Sequence, residues 1–261
     1  MTAQRADAEW SMIVDVNRIA AGFFSLTPPP PPDDDGGYLR WHLLDHMPEQ
    51  YRIPGIALGL RWIADGDYPT HRIVAAGGLD EVGNAVAYLM SDPVQETYDA
   101  FIDLGAELRE SGRFPEVRPS LQTRLLAIER QRAAPAAVVS AEVVPFRPHR
   151  GVVLIVEGAN DDVTAWRDWP AAEHDSTLLE VPGVAGICAF RSTESWRLRP
   201  TCEGPPQRVT VVFLDGDPLD TTKRLAPMIE QRWSSGAVRP LFAGPLRTMV
   251  NWEVWPTEAA P

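Results

Sequence analysis

Apolar residues recur along this chain with two different periods. Short, β-rich runs at residues 23–27, 56–64, 85–91 and 125–131 have the length and flanking turn residues of strands. Between them, residues 37–51 and 91–112 carry helical spacing. In the longer helix, Val94, Tyr98, Phe101, Leu104 and Leu108 form one apolar face. Asp92 is its expected N-cap, with Pro93 at the first helical position. The first helix closes on Pro54–Gly55, a pair that stops a helix and permits a sharp exit into a strand. The second half repeats the series. Strands are expected at 152–157, 184–192, 208–214 and 248–254, and helices at 162–179 and 216–233. Pro28–Pro32 reads as a stiff, extended loop.

The two series are copies. At an offset of 128 (174 − 46), His46 falls on His174, Trp41 on Trp169, Asp45 on Glu173, and Pro54–Gly55 on Pro182–Gly183. Tryptophan is rare, so its coincidence in register with histidine and Pro-Gly marks a tandem duplication. Each copy reads β-α-β-β-α-β, the ferredoxin-like unit, with boundaries expected at 1–136 and 137–261. Residues 132–150 join the copies, with a strand-like core at 137–146, and residues 9–20 are an extra element, helix or strand. A four-stranded sheet with both helices on one face must bury its other face against a second sheet. Two copies in one chain can do this internally. The expected fold is therefore α+β, two ferredoxin-like repeats forming an intramolecular barrel, a pseudo-dimeric monomer with a homodimer as the alternative.

Composition narrows the function. The chain of 261 residues carries a net charge of −12, which argues against nucleic acid as a partner. No stretch approaches the roughly 20 apolar residues of a membrane span, and residues 1–10 lack the apolar core of a secretory signal. Cys188 and Cys202 have no zinc spacing and read as reduced thiols, so a cytoplasmic location is expected. There is no dinucleotide loop, P-loop, G-x-S-x-G elbow or C-x-x-C-H haem site.

The first helix resembles the EthD-like branch of the dimeric α+β barrel proteins. That family carries an aromatic-rich helix reading roughly W-Y-x-x-E-H-x-P-E-R, then P-G into a strand. Copy one, "RWHLLDHMPEQYRIPG", matches at Trp41, Asp45, His46, Pro48, Glu49, Pro54 and Gly55. Copy two matches at Trp169, Glu173, His174, Pro182 and Gly183, with Ser176 and Thr177 where Pro-Glu stood. The resemblance implies a ligand cavity between the helix-bearing sheet face and the helices. The superfamily includes cofactor-free monooxygenases on aromatic polyketides, polyketide cyclases, a lactone isomerase and haem-degrading enzymes.

Candidate chemistry follows from these residues. His46 and His174 are the expected proton-transfer groups, because imidazole titrates near neutral pH. Arg61 shares a strand face with the small residues Ala57 and Gly59 and could hold a carboxylate or enolate. Tyr38, Trp41, Trp62, Tyr88, Tyr98, Trp166 and Trp169 are candidate aromatic walls. Asp45 cannot orient His46, since adjacent helical residues point about 100° apart; a structural hydrogen bond is expected instead. The pair His42/His46 resembles a zinc-peptidase helix, but copy two has Pro170 at the position of His42 and no third ligand is evident. His42 reads as an exposed or ring-packing residue, and neither metal nor cofactor is expected. The reading is an enzyme on a small hydrophobic, aromatic or polycyclic metabolite, working by cofactor-independent isomerase, cyclase or lyase chemistry. A cofactor-free monooxygenase and a non-catalytic ligand-binding protein are the alternatives.

Overall fold

A computed structural model of the chain describes residues 18–31, 34, 36–114, 119–160 and 163–249. The first copy contains β1 (Ala21–Thr27), β2 (Ile56–Ile63), a short β3 (Val74–Ala75), β4 (Asn84–Met90) and β5 (Gln122–Ala133). Its first helix, α1 (37–50), is three segments in series: α-helical Gly37–Trp41, a π turn His42–His46, and α-helical Met47–Gln50. Its second is α2 (Val94–Glu110). The second copy contains β6 (Gly151–Ala159), α3 (Val163–Asp168), α4 (Ala171–Leu179), β7 (Val184–Arg191), β8 (Gln207–Leu214), α5 (Pro218–Trp233) and β9 (Val238–Thr248).

Eight strands close a ring in the order β2-β4-β1-β5-β7-β8-β6-β9, with β9 returning to β2 and β3 attached beside β9. The ring consists of two ferredoxin-like sheets joined twice by the same kind of seam. The last strand of each copy pairs antiparallel with the second strand of the other, β5 with β7 and β9 with β2. The seams are unequal. β9 meets β2 only at Trp62↔Thr248 and Ile63↔Arg247, whereas β5 meets β7 from Ala127↔Arg191 to Ala133↔Gly186.

Alternation along the strands divides the core. Inward residues such as Phe24, Leu26, Trp62, Leu154, Phe190, Phe213 and Phe242 fill the barrel. Outward residues of the first sheet, Phe23, Val86 and Tyr88, pack under α1 and α2, and those of the second, Val153, Ile155 and Val212, under α4 and α5. The Pro-Gly exits are architectural. Gly55 and Gly183 sit at φ 96° and 95°, and a Cβ on either would run into Thr97 or Thr221 at the start of the following helix.

Several elements differ from expectation. Pro170 breaks the second copy's first helix into α3 and α4. Asp92 caps nothing: Pro93 itself is the N-cap of α2, in extended conformation, without a side-chain bond. In the second copy Asp217 does cap α5, accepting from the Asp220 N–H at 3.0 Å, with Pro218 at the first turn. Residues 137–146 form 3-10 turns at Pro135–Ala137 and Ala141–Phe146 rather than a strand, with Val138 left-handed at φ 48° between them. The last strand is Val238–Thr248, earlier than 248–254; of that expected run, 250–254 lie outside the described residues. Of residues 9–20, only 18–20 are described.

Candidate functional site

A half-open cavity of about 900 Å³ lies between the first copy's sheet and its helices. Its floor comes from Phe23, Ser25 and Thr27 of β1 and Val86 and Tyr88 of β4. Its walls are Tyr38, Trp41, His42, His46 and Gln50 of α1 and Phe101, Gly105 and Arg109 of α2. Phe114 closes one side, and Arg199 and Thr201 reach in from the second copy. That loop is fastened to α2: the Arg199 N–H donates to Tyr98 Oη at 3.1 Å, and the Gln95 side chain bonds the backbone of Arg197.

The π turn places His42 and His46 together on the cavity side of α1. Such turns widen the helical repeat and are frequent at functional sites. The two rings lie 5.5 Å apart. His46 stacks on Trp41 at 4.9 Å and takes the edge of Phe114 at 4.9 Å. Trp41 is fixed in turn by its Nε1–H donating to the Arg113 carbonyl at 2.7 Å. Arg113 also pairs with Asp45 at 3.0 Å and Glu49 at 2.8 Å, so Asp45 ties α1 to the segment after α2 and does not touch His46. His42 is ring-packed rather than exposed, buried against the Trp41, His46 and Tyr88 rings with Nε2 3.2 Å from the Tyr88 hydroxyl. The Gln50 amide lies 3.4 Å from His46 Nε2.

Arg61 stands beside this cluster. It faces the helices from β2, its guanidinium 4.7 Å from the Tyr38 ring centre, with Nη2 donating to Asn84 Oδ1 at 3.2 Å. Its Nε and Nη1 are buried without a hydrogen-bond partner, and no carboxylate among the described residues pairs with it. A buried guanidinium left this way favours an anionic oxygen nearby. It also acts on the imidazoles. Burial first, then the charge of Arg61, lowers His42 to about 2. Burial, with Arg61, Arg109 and Arg113 outweighing the opposing pull of Asp45, lowers His46 to about 4. Both rings are neutral near pH 7, and burial keeps the Tyr88 hydroxyl protonated.

The cavity thus gathers Tyr38, Trp41, His46 and Tyr88, with Arg61 adjacent. The other expected residues lie elsewhere. Trp62 points into the barrel, because it alternates with Arg61 along β2; its Nε1–H donates to His149 Nε2 at 2.8 Å. Tyr98 is buried behind the wall, holding Arg199. His174 stacks on Trp169 at 5.0 Å, repeating the Trp41–His46 pair, but lines none of this cavity. Trp169 is covered by the Arg232 guanidinium at 4.4 Å, and Trp166 by that of Arg208 at 5.2 Å. Sequence reasoning gave His42 no place in the site and missed Gln50, although Gln50 stands one helical turn beyond His46. Phe114 and Thr27 carry no local signal.

No group of three or more His, Cys, Asp or Glu side chains is clustered among the described residues. In both His42 and His46 it is Nε2 that meets a polar neighbour, Tyr88 or Gln50, while Nδ1 is buried without a partner. No helix among the described residues is long and apolar enough to cross a membrane.

No protein-family model matches the chain, and no curated protein does. Solved structures share its fold. An anthrone oxidase-like protein superposes with TM-score 0.52 at 14% identity, covering 90% of this chain and 92% of its own. A dye-decolorizing peroxidase from Bacteroides thetaiotaomicron gives TM-score 0.52 at 11% identity, covering 90% and 95%. Fold and comparisons together define a dimeric α+β barrel with both halves in one chain.

Proposed function

We propose that this protein is an enzyme that takes a flat, hydrophobic aromatic metabolite into the first-copy cavity and moves a proton on it. His46 is the base, Arg61 the partner of the anion that forms, and Tyr38, Trp41 and Phe114 are the walls. One observation carries the reading: a neutral, buried imidazole stacked on an indole beside a guanidinium with two unpartnered N–H groups. A proton removed from an acidic C–H or O–H leaves negative charge on a conjugated oxygen, which Arg61 can hold. That charge offsets the guanidinium and strengthens His46 as a base while the anion develops. Isomerisation, cyclisation and lyase-type cleavage all begin with this step. The helix pattern from Trp41 to Gly55 supports placing the protein in the EthD-like branch.

A cofactor-free oxygenase begins with the same anion, and the anthrone oxidase-like neighbour makes this the second reading. Anthrone, with its acidic methylene, is the probe for both. In D2O the protein should accelerate exchange of the methylene hydrogens, and His46→Ala should abolish the acceleration. Oxygen uptake accompanying exchange selects the oxygenase. Anthrone exchange unaffected by the protein, or equally fast with His46→Ala, overturns the assignment of His46.

A further inference from the structure

The backbone itself matches the two copies residue for residue. Ser91 N–H bonds the Gly55 carbonyl at 2.9 Å as Asp215 N–H bonds that of Gly183 at 2.9 Å. Thr97 N–H bonds the Pro93 carbonyl at 3.1 Å as Thr221 N–H bonds that of Asp217 at 2.9 Å. In both matches the donors differ by 124 in number (215 − 91, 221 − 97), so at these positions the offset is 124, four less than at Gly55 (183 − 55 = 128). The same difference sets Gly105 against Ile229, Leu108 against Arg232 and Asn84 against Arg208. Strand register then sets Thr27, opposite Asn84, against Glu157, opposite Arg208.

In the second copy these positions are filled from within. Arg232 bonds Glu157 at 2.6 and 2.9 Å and Asp175 at 3.0 Å, and Trp233 adds a bond to Glu157 at 2.9 Å. Ile229, Arg232, Glu157 and Asp175 are all 0% exposed. In the first copy, Thr27 and Gly105 both line the cavity, and the Thr27 hydroxyl has no partner. A Cβ built on Gly105 would meet nothing within 4 Å. Glycine is a poor helix former, yet Gly105 lies inside α2 with neither a close neighbour nor a positive φ that requires it. What its missing side chain supplies is space.

We infer that the chain binds one ligand, in the first copy, and that Gly105 is its size-specificity residue, admitting fused rings against the bare backbone of α2. This rests on reading the cavity as the substrate site. Calorimetric titration of the full chain with anthrone and with phenol tests it, using Gly105→Leu and Ile229→Gly. The wild type should bind one anthrone per chain. Gly105→Leu should weaken anthrone at least tenfold more than it weakens phenol and should not lower the melting temperature, since leucine is the better helix former. Ile229→Gly should add no second site. Two anthrones per chain, or undiminished anthrone binding by Gly105→Leu, overturns the inference while the cavity remains the substrate site. Failure of the wild type to bind either probe overturns both.

Discussion

His42 and His46 are buried with the Arg61 charge beside them, and this fixes the response to acid. Both histidines titrate in the folded protein below their ordinary value of 6.5, at about 2 and about 4. Between those values and 6.5 the unfolded chain binds protons that the folded one refuses, so stability rises with pH. The contribution is complete above pH 6.5 and declines as pH falls from there toward 4 and below. Urea titrations at several pH values should show this loss, and His42→Phe should reduce it. Activity follows a different limb. In the proposed reaction His46 acts unprotonated, so kcat/KM should stay level at neutral pH and fall only as pH drops through about 4. His46→Ala should lower turnover by about 10²–10⁴-fold, the usual worth of a positioned base. Gly105→Ala should raise stability by about 0.8–1 kcal/mol in thermal denaturation, because alanine suits a helix interior and meets no neighbour there.

The two long helices start differently, and the difference is measurable. Asp217→Ala removes a capping bond and should cost about 1 kcal/mol, whereas Asp92→Ala removes none and should leave the melting temperature nearly unchanged. Alternation and Pro-Gly turns made most elements legible. β2 and β7 begin at Ile56 and Val184, directly after their glycines. β9 was hidden because Pro240, Gly244 and Pro245 read as breakers; a bulge opposite Glu157 accommodates the irregular pairing near Pro240. The π turn was invisible because His42 and His46 stand four apart in either helix type. At the site, Trp41 and His46 were legible from the repeat, and Arg61 from its small-residue face. Phe114 could not be found, since it is brought in by the chain's return after α2. Trp62 stands on the opposite face of β2 from Arg61, so its ring goes to the barrel interior and not to the cavity.

At the scale of the whole molecule, each copy completes the other's sheet, so neither has a finished edge alone. A fragment of residues 1–136 exposes the barrel face carrying Phe24, Leu26 and Trp62, and it should elute as a self-associated species rather than as a folded monomer. The second copy is held by charge as well as by apolar packing. Arg232→Met would leave Glu157 in the interior without its cation, while Asp175 keeps Arg130, and should cost about 3–5 kcal/mol in urea unfolding.

The unequal contents of the two copies also bear on how the sequence can change. A substitution beneath α1 and α2 alters what the cavity admits, while the remainder of the barrel keeps the chain folded. A substitution at Arg232 or Glu157 is felt by every property at once. What the cavity admits and what keeps the chain folded therefore lie largely at separate addresses in this chain. A library confined to cavity-lining positions outside the core, such as Tyr38, Gly105 and Arg109, can vary the first while drawing less on the second.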